Sequence, residues 1–366
     1  MFKLIYRFLF LLVILTTFLN SCKSEEKSNE DQALPFEILN EDDFQVSYGK
    51  EIEIKFQINQ NITKLIAIKG IDTLKRWNNV SSNFNYSFSS SLFGIGKYDI
   101  QFLASLESGN DYDQTITVDV LSDQPFNMME AVVISSFPHA SNSFTQGLEF
   151  DDESLYEGTG DPGYSGATFV AKTDLKTGNA VVKESIPTPN FGEGITLLNG
   201  KLYQLTWQQH TCFIYDKNTL KKIGEFKYEG EGWGLCNDGT HLIMSNGTST
   251  IVFRDPRTFK IVKTIQVATN KSSVSNLNEL EFANGLIYAN VWQEDVLVSI
   301  DPENGKVKDL INCYGIVNQV RSSSIQQSPS PEVLNGIAFN SRSKTFFLTG
   351  KYWPTLFEVN FITKKM

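Results

Sequence analysis

The feature that most constrains the fold is an imperfect repeat in the second part of the chain. Five segments share one pattern, in which an opening residue is followed mostly by glycine and then by apolar residues. The opening residues are Gln146, Glu193, Trp233, Asn278 and Asn335, and their spacings are 47, 40, 45 and 57 residues. Repeats of about 40 to 50 residues built of short strands are typical of propeller blades. We therefore predict an all-β fold with a five-bladed β-propeller over residues 126–366.

The outer half of the repeat units has a second sequence pattern. In four units an apolar strand ends in an aspartate that is followed by a turn, at Asp174, Asp216, Asp255 and Asp301. Two packed β-sandwiches would not need the same turn chemistry in unit after unit. The recurrence favours four-stranded blades.

The repeat also predicts which residues share one face of the propeller. The opening residues start the innermost strands, which line the central channel, so they should lie at one of its mouths. The second strand of each blade runs back to the same face. Trp207 and Trp292 end such strands, each 14 residues after Glu193 or Asn278, and Lys351 ends that of the last blade.

A mouth of this composition is typical of a small-ligand site, because polar groups converge inside an aromatic wall. Poor solvation should raise the pKa of Glu193 toward neutrality, which suits proton transfer. The repeat alone leaves a structural role equally open, in which Glu193 holds backbone amides between blades. It also leaves open that the tryptophans only pack between blades.

Residues 34–121 show a different pattern. Segments such as Ile52-Glu-Ile-Lys-Phe-Gln-Ile alternate apolar and polar residues, and turn residues separate them. This predicts a small immunoglobulin-like β-sandwich, which we interpret as a spacer or docking module. Residues 122–125 read as a linker.

The chain begins with features of an exported lipoprotein. Lys3 and Arg7 precede an apolar run, which ends in Leu19-Asn-Ser-Cys22. This pattern predicts a signal peptide at 1–21, lipidation of Cys22 and a polar, flexible tether at 22–33. We expect a protein anchored to the bacterial cell envelope, periplasmic or surface-exposed; an uncleaved anchor helix is the alternative.

The net charge and the spacing of the cysteines exclude further classes of function. The net charge of −10 argues against nucleic-acid binding, which needs a surplus of lysine and arginine. The cysteines after the leader, Cys212, Cys236 and Cys313, lack the spacing of a zinc site, and we expect them to be buried as small apolar residues.

The repeat strings resemble the plant and bacterial family of glutaminyl-peptide cyclotransferases. The similarity runs in order from about residue 140 to 360, with no blade missing. Its strings include Phe144-Thr-Gln-Gly-Leu, Phe191-Gly-Glu-Gly-Ile-Thr, Gly230-Glu-Gly-Trp-Gly-Leu, Leu277-Asn-Glu-Leu-Glu and Leu348-Thr-Gly-Lys-Tyr-Trp-Pro. No single string is decisive, but the ordered set is specific. The resemblance implies a five-bladed acyltransferase that converts N-terminal glutamine of peptides or proteins to pyroglutamate and releases ammonia.

The resemblance also implies roles for individual residues. Glu193 matches the acid/base carboxylate, and Asn278 and Lys351 match further catalytic or positioning groups. The substrate-binding residues that it implies are Gln146, Phe144, Phe191, Trp207, Trp233 and Trp292. No metal or other cofactor is expected, since His139, His210 and His241 lack metal-ligand spacing. We expect a monomer.

Two features depart from the family pattern. Its members often lack an additional β domain, so residues 34–121 are unexplained. The long stretch from Glu294 to Asn335 should contain a loop, which is either a solvated insertion or a lid.

Two other functions compete with the cyclotransferase. A non-catalytic propeller lipoprotein could use the same aromatic mouth to bind peptides or glycans. A metal-dependent, lactonase-like hydrolase would need several acidic or amide ligands around one ion. Glu193 is the one acidic residue among the five openings, which disfavours the hydrolase.

Overall fold

The computed structural model of the protein describes residues 34–41, 44–163, 165, 167–323 and 332–363. The predicted signal peptide (1–21) and the tether (22–33), which begins with the predicted lipidation residue Cys22, lie outside the described residues. Within the part of the chain that the structure describes, no helix is long and apolar enough to cross a membrane. Strands predominate, and the predicted all-β fold class is confirmed.

The first domain is a sandwich of two sheets. Its strands are β1 (Phe36–Ile38), β2 (Gln45–Ser47), β3 (Glu51–Ile58), β4 (Ile62–Lys69), β5 (Asp72–Val80), β6 (Phe84–Ser89), β7 (Gly96–Leu106) and β8 (Asp111–Leu121). The sheet orders are β1-β3-β6 and β2-β8-β7-β4-β5, with β2 parallel to β8. On β3, Ile52, Ile54 and Phe56 are buried while the residues between them are exposed. This alternation builds the predicted immunoglobulin-like sandwich.

The second domain is a ring of five four-stranded blades. Its first strands are β9 (Asn127–Pro138), β10 (Phe144–Asp151), β11 (Ser154–Gly160), β12 (Phe169–Thr173), β13 (Ala180–Ser185), β14 (Gly192–Leu198), β15 (Lys201–Thr206), β16 (Thr211–Asp216) and β17 (Lys222–Lys227). The others are β18 (Leu235–Asn237), β19 (Leu242–Ser245), β20 (Thr250–Arg254), β21 (Ile261–Gln266), β22 (Leu277–Ala283), β23 (Leu286–Val291), β24 (Val296–Ile300), β25 (Val307–Asn312), β26 (Leu334–Asn340), β27 (Thr345–Gly350) and β28 (Thr355–Thr363). Blades 1 to 4 each take four consecutive strands from β10 onward.

The ring is closed by a strand that precedes all the blades in the chain. Blade 5 has three strands of its own, and β9 pairs antiparallel with β28 to become its outermost strand. The first residues of β9 also pair in parallel with β25 of blade 4. Chain-end closure of this kind joins the last blade to the start of the domain without leaving a free edge there.

A buried ion pair reinforces the junction between blades 1 and 5. His139 donates from Nδ1 to the Trp353 carbonyl oxygen (2.6 Å), and its Nε2 lies 3.1 Å from Glu157 Oε1. Thr145 Oγ1 donates to the same carboxylate oxygen (2.8 Å). Burial lowers the pKa of His139, but the Glu157 charge, its hydrogen bond and the Trp353 carbonyl outweigh this and raise the pKa above 6.5. The pair thereby ties the opening of β10 to the turn after β27.

The stretch from Glu294 to Asn335, in which we predicted a loop, also contains regular structure. It contains β24, β25 and a helix, α1 (Tyr314–Ser323), whose Ile316, Val317 and Val320 are buried against blades 4 and 5. Three apolar residues on one helical face suffice to seat a short helix on the sheet. Residues 324–331 lie outside the described residues.

At the propeller axis, glycine at the second repeat position allows the inner strands to approach closely. A Cβ atom on Gly147 would stand 2.5 Å from Ile195 N of the next blade. Cβ atoms on Gly194 and Gly234 would collide with backbone atoms of blades 3 and 4. The repeat glycine is therefore required by the contact between neighbouring inner strands.

Blade 4 has Glu279 where the other blades have glycine. Its Oε1 accepts from Leu148 N of blade 1 (3.1 Å) and its Oε2 from Ile337 N of blade 5 (2.8 Å). Glu279 is fully buried and spans the channel between three blades. It performs the structural role that the repeat left open for Glu193, namely holding backbone amides of neighbouring blades.

The opening of the inner strand is bulged in four of the five blades. The pairing with the second strand is interrupted around Gln146, Glu193, Asn278 and Asn335. In blade 3 the inner strand begins only at Leu235, after Trp233. Bulges redirect a side chain locally, so they let these residues face the mouth while the rest of the strand keeps its regular alternation.

The sandwich contacts the outer strands of the propeller away from the channel. Lys97 N donates to Gln266 Oε1 (3.0 Å), and Gln266 Nε2 donates back to the Lys97 carbonyl oxygen (3.1 Å). Lys306 forms an ion pair of 2.6 Å with Asp123 in the linker. These contacts attach the sandwich to blades 3 and 4.

We expect Gly234→Ala to lower the free energy of unfolding by about 3 kcal/mol, because a Cβ there overlaps backbone atoms of blade 4. Urea unfolding of the purified protein measures this. Gly315→Ala is the control: the added Cβ meets no atom within 4 Å, and alanine favours helix α1. Equal stability of the two variants would mean that the inner strands can move apart to accommodate a Cβ, and that the repeat glycine is not required.

His139→Gln should cost about 3 kcal/mol of unfolding free energy at pH 6, because it leaves Glu157 buried without its cation. The pKa of His139 is higher in the folded state than its usual 6.5, which sets the sign of the pH dependence. The contribution of His139 to the free energy of unfolding is complete below pH 6.5 and is lost as the pH rises through the folded-state pKa. The difference from wild type should therefore shrink between pH 6 and alkaline pH.

The exposed pair His241–Asp238 provides the control for this measurement, since its histidine is about one-third exposed. His241→Gln should change stability by less than about 1 kcal/mol at pH 6. Equal losses in both variants would contradict a special role for the buried pair.

Candidate active site

One mouth of the channel contains a pocket of about 490 Å³. Its lining residues are Phe144, Gln146, Pro162, Phe191, Glu193, Trp207, Trp233, Asn278, Trp292 and Lys351. The structure thus brings all nine residues singled out in the sequence into one cavity. Pro162, on the segment after β11, is the lining residue that the sequence analysis did not identify.

Strand register accounts for this convergence. Trp207 N donates to the Phe191 carbonyl oxygen (3.0 Å) and Trp292 N to that of Asn276 (2.8 Å). Each indole therefore sits beside the opening of the inner strand in its own blade. Lys351 directly follows β27, which ends at Gly350 opposite Leu334.

The polar groups of the pocket form a directed hydrogen-bond chain. Asn335 Nδ2 donates to Gln146 Oε1 (3.0 Å) and also to the Thr145 carbonyl oxygen (3.0 Å). Gln146 Nε2 in turn donates to Glu193 Oε1 (3.1 Å). Asn335 thus fixes the orientation of the Gln146 amide, so that its NH₂ group faces the carboxylate. The repeat predicted Asn335 at the mouth with the other openings, but it does not line the pocket and supports it through Gln146.

Glu193 and Lys351 are both 5% exposed and influence one another. Burial raises the pKa of Glu193 well above 4.5; the Lys351 charge opposes this shift, and the Glu231 charge adds to it. Burial lowers the pKa of Lys351, against the charges of Glu193 and Glu332. Lys351 Nζ lies 4.6 Å from the centre of the Phe144 ring. Among the described residues it makes no ion pair within 4 Å, so its positive charge faces the pocket.

Asn278 adds an uncommitted amide. Its Oδ1 is buried and has no hydrogen-bond partner among the described residues. A buried amide oxygen without a partner is costly unless a ligand satisfies it. The Asn278 side chain can therefore bind a polar substrate group.

Aromatic side chains form most of the remaining wall. Ring contacts run from Tyr352 to Phe144 (5.1 Å), from Phe144 to Phe191 (6.0 Å) and from Phe191 to Trp207 (5.8 Å). Trp233 and Trp292 meet edge to face at 5.5 Å. Such a wall lowers the local dielectric constant, which strengthens the electrostatic interactions inside the pocket.

Sequence reasoning missed several residues that support the site. Glu279 was detectable, because it replaces the repeat glycine in blade 4. Glu231 stands two residues before an opening residue and binds two indoles of the wall. The pair of His139 and Glu157 had no sequence signal, since its partners come from a strand end and a second strand.

Other buried acids occupy the channel farther from the mouth. Glu281 accepts from Phe339 N (3.1 Å), and burial raises the pKa of Glu149 to about 8. No group of three or more histidine, cysteine or acidic residues among the described residues has a geometry that could hold a metal ion. The cysteines Cys212, Cys236 and Cys313 are buried, as predicted, and all three are free thiols.

Comparison with known proteins agrees with the resemblance in the sequence. The sequence model of the glutamine cyclotransferase family matches residues 108–361. A glutaminyl-peptide cyclotransferase of Arabidopsis thaliana is 38% identical over 239 residues, which are 65% of this chain and 73% of the plant protein. The crystal structure of Myxococcus xanthus glutaminyl cyclase matches with a TM-score of 0.61 at 34% identity, over 66% of this chain and 100% of that one. The chain therefore belongs to the glutamine cyclotransferase family.

Proposed function

We propose that the protein converts the N-terminal glutamine of peptides or proteins into pyroglutamate and releases ammonia, as an aminoacyltransferase. The observation that carries the proposal is the buried Glu193 carboxylate inside the aromatic pocket, which Lys351 and Asn278 also line. The names of the Arabidopsis and Myxococcus relatives support the same activity.

The reaction needs no external nucleophile, because the α-amine attacks the γ-carbonyl carbon of the same residue. The new C–N bond closes a five-membered lactam, and the C–N bond to the side-chain nitrogen breaks. A proton must pass from the attacking amine to the leaving ammonia. Holding the substrate in a folded conformation removes much of the entropic barrier.

We assign this proton transfer to Glu193. Its raised pKa lies closer to the pKa of an amine than the pKa of an ordinary carboxyl group does. The hydrogen bond from Gln146 holds one carboxylate oxygen, so the other can address the substrate. Glu193 accepts the proton from the α-amine and later donates it to the leaving nitrogen.

Two further groups complete the assignment. The Lys351 ammonium stabilises the negative charge that develops on the γ-carbonyl oxygen during attack. The uncommitted Asn278 amide binds the substrate amide or amine and fixes its direction of approach. The aromatic wall packs around the methylene groups and excludes bulk water.

We also propose that the protein is exported and anchored to the cell envelope through a lipid on Cys22, facing the periplasm or the cell surface. The support is the sequence of the leader, with Lys3, Arg7 and the Leu19-Asn-Ser-Cys22 ending. Metabolic labelling with a fatty acid in a bacterial host should label the wild-type protein, and Cys22→Ala should abolish the label. Labelling of both would contradict lipidation at Cys22.

Ammonia release from a Gln-initiated peptide tests the activity directly. Wild type should turn over with and without EDTA, and Glu193→Gln should reduce kcat by about 10²- to 10⁴-fold, the usual contribution of acid/base catalysis. Glu225→Gln, on an exposed outer strand, is the control and should retain activity. A folded, inactive wild type would instead favour a receptor for peptides or glycans, which the same aromatic mouth could serve. Loss of turnover in EDTA would indicate a catalytic metal.

The dependence of kcat/KM on pH should reveal the titration of Glu193 and the effect of the Lys351 charge on it. Activity should depend on an enzyme group that titrates well above 4.5. Lys351→Met removes a charge that lowers the pKa of Glu193, so the limb of the pH profile that reports this group should move to higher pH. In the same variant kcat should fall by roughly 10²-fold. The α-amine of the peptide titrates identically in both assays, so the difference between the profiles belongs to the enzyme. Unshifted profiles would contradict the coupling.

A further inference from the structure

Among the described residues, the aromatic wall of the pocket contains two runs of ring contacts. Its first part ends at Trp207 of blade 2, and its second part begins at Trp233 of blade 3. Between these indoles stands the carboxylate of Glu231. Its Oε2 accepts from Trp207 Nε1 (2.7 Å) and from Trp233 Nε1 (2.9 Å).

The second oxygen of this carboxylate is also used. Glu231 Oε1 accepts from Gln208 Nε2 (2.8 Å), and Gly232 N donates to the Trp207 carbonyl oxygen (3.1 Å). Tyr228 holds the start of the same loop through a bond from its hydroxyl to the Thr206 carbonyl oxygen (2.5 Å). Glu231 is thus fixed on both oxygens.

These hydrogen bonds are of the strong kind, because their acceptor is ionised. Burial raises the pKa of Glu231, but the bonds from Gln208, Trp233 and Trp207 outweigh it and hold the pKa below its usual value. An indole N–H has one donor position and no acceptor, so its bond fixes the direction in which the N–H edge of the ring points. A single carboxylate therefore anchors the edges of two indoles from different blades.

We propose that Glu231 is the positioning residue of the substrate pocket: its carboxylate fixes the indoles of Trp207 and Trp233 so that the wall closes on the glutamine side chain. This inference deepens the proposed function and rests on it. Glu231 does not line the pocket, so it acts through the two tryptophans. Its charge acts in addition on Glu193, whose pKa it raises.

Two substitutions separate the geometry from the charge. Glu231→Ala removes the acceptor of both indoles. Glu231→Gln removes the charge and keeps a carbonyl oxygen that can accept from both indoles. Its NH₂ group replaces the oxygen that accepts from Gln208, and the exposed Gln208 amide can turn its own oxygen toward that group. Glu229→Gln is the matched control, because it removes a charge from an exposed position on the same loop.

Steady-state kinetics on the Gln-initiated peptide and near-ultraviolet circular dichroism are measured for all four proteins. Glu231→Ala should raise KM roughly tenfold, the equivalent of losing one hydrogen bond to a charged group, with a smaller change in kcat. Its tryptophan dichroism should also weaken. Glu231→Gln should restore KM and dichroism, but the limb governed by Glu193 should move to lower pH, since a charge that raises its pKa is gone. Glu229→Gln should match wild type throughout.

Other outcomes overturn the inference in distinguishable ways. A wild-type KM and dichroism in Glu231→Ala would mean that the wall holds itself. Equal pH shifts in Glu231→Gln and Glu229→Gln would assign the electrostatic effect to the loop as a whole. If wild type does not turn over the peptide, the proposed function has failed; the dichroism of Glu231→Ala then still decides whether Glu231 fixes the indoles.

Discussion

The close approach of five inner strands at the propeller axis is the constraint on which the rest of the structure depends. The chain has glycine at the second repeat position in four blades: at Gly147, Gly194 and Gly234 a side chain would overlap the backbone of the next blade, and Gly336 has a positive φ and lies against side chains of blade 1. Blade 4 instead directs Glu279 across the axis to amides of blades 1 and 5. The channel is thereby closed directly below the mouth, and a through-going pore becomes a pocket with a floor.

The same constraint explains why residues at the openings of the inner strands line the pocket. Inner strands that touch below the mouth must diverge at it, and bulges at Gln146, Glu193 and Asn278 turn these side chains into the widened space. Two buried glutamates one repeat position apart thus have different tasks. Glu279 is satisfied by two backbone amides, whereas Glu193 receives one side-chain bond and keeps an oxygen for the pocket.

The openings of the inner strands could be predicted from the sequence, because a repeat of fixed register places equivalent residues on one face. The counting that located Trp207 and Trp292 used only that register. The register of the repeat could not predict residues that act between blades. Glu231 lies in a connecting loop outside the repeat, and β9 closes the ring from before the first blade, so neither follows from a pattern within one unit. Helix α1 was hidden because three buried apolar residues are too few for a clear period.

The pocket combines a buried acid and a buried base that do not neutralise one another by direct contact. Each opposes the effect of burial on the other: Lys351 lowers the pKa of Glu193, and Glu193 raises that of Lys351. A close ion pair between them would hold Glu193 ionised and occupy both groups. Their separation, with Phe144 against the ammonium, leaves the carboxyl group and the cation free for the roles that the proposed reaction assigns to them. The aromatic wall maintains this balance, since water in the pocket would screen both charges; the orientation of its indoles is therefore as much a part of the electrostatics as the charges themselves.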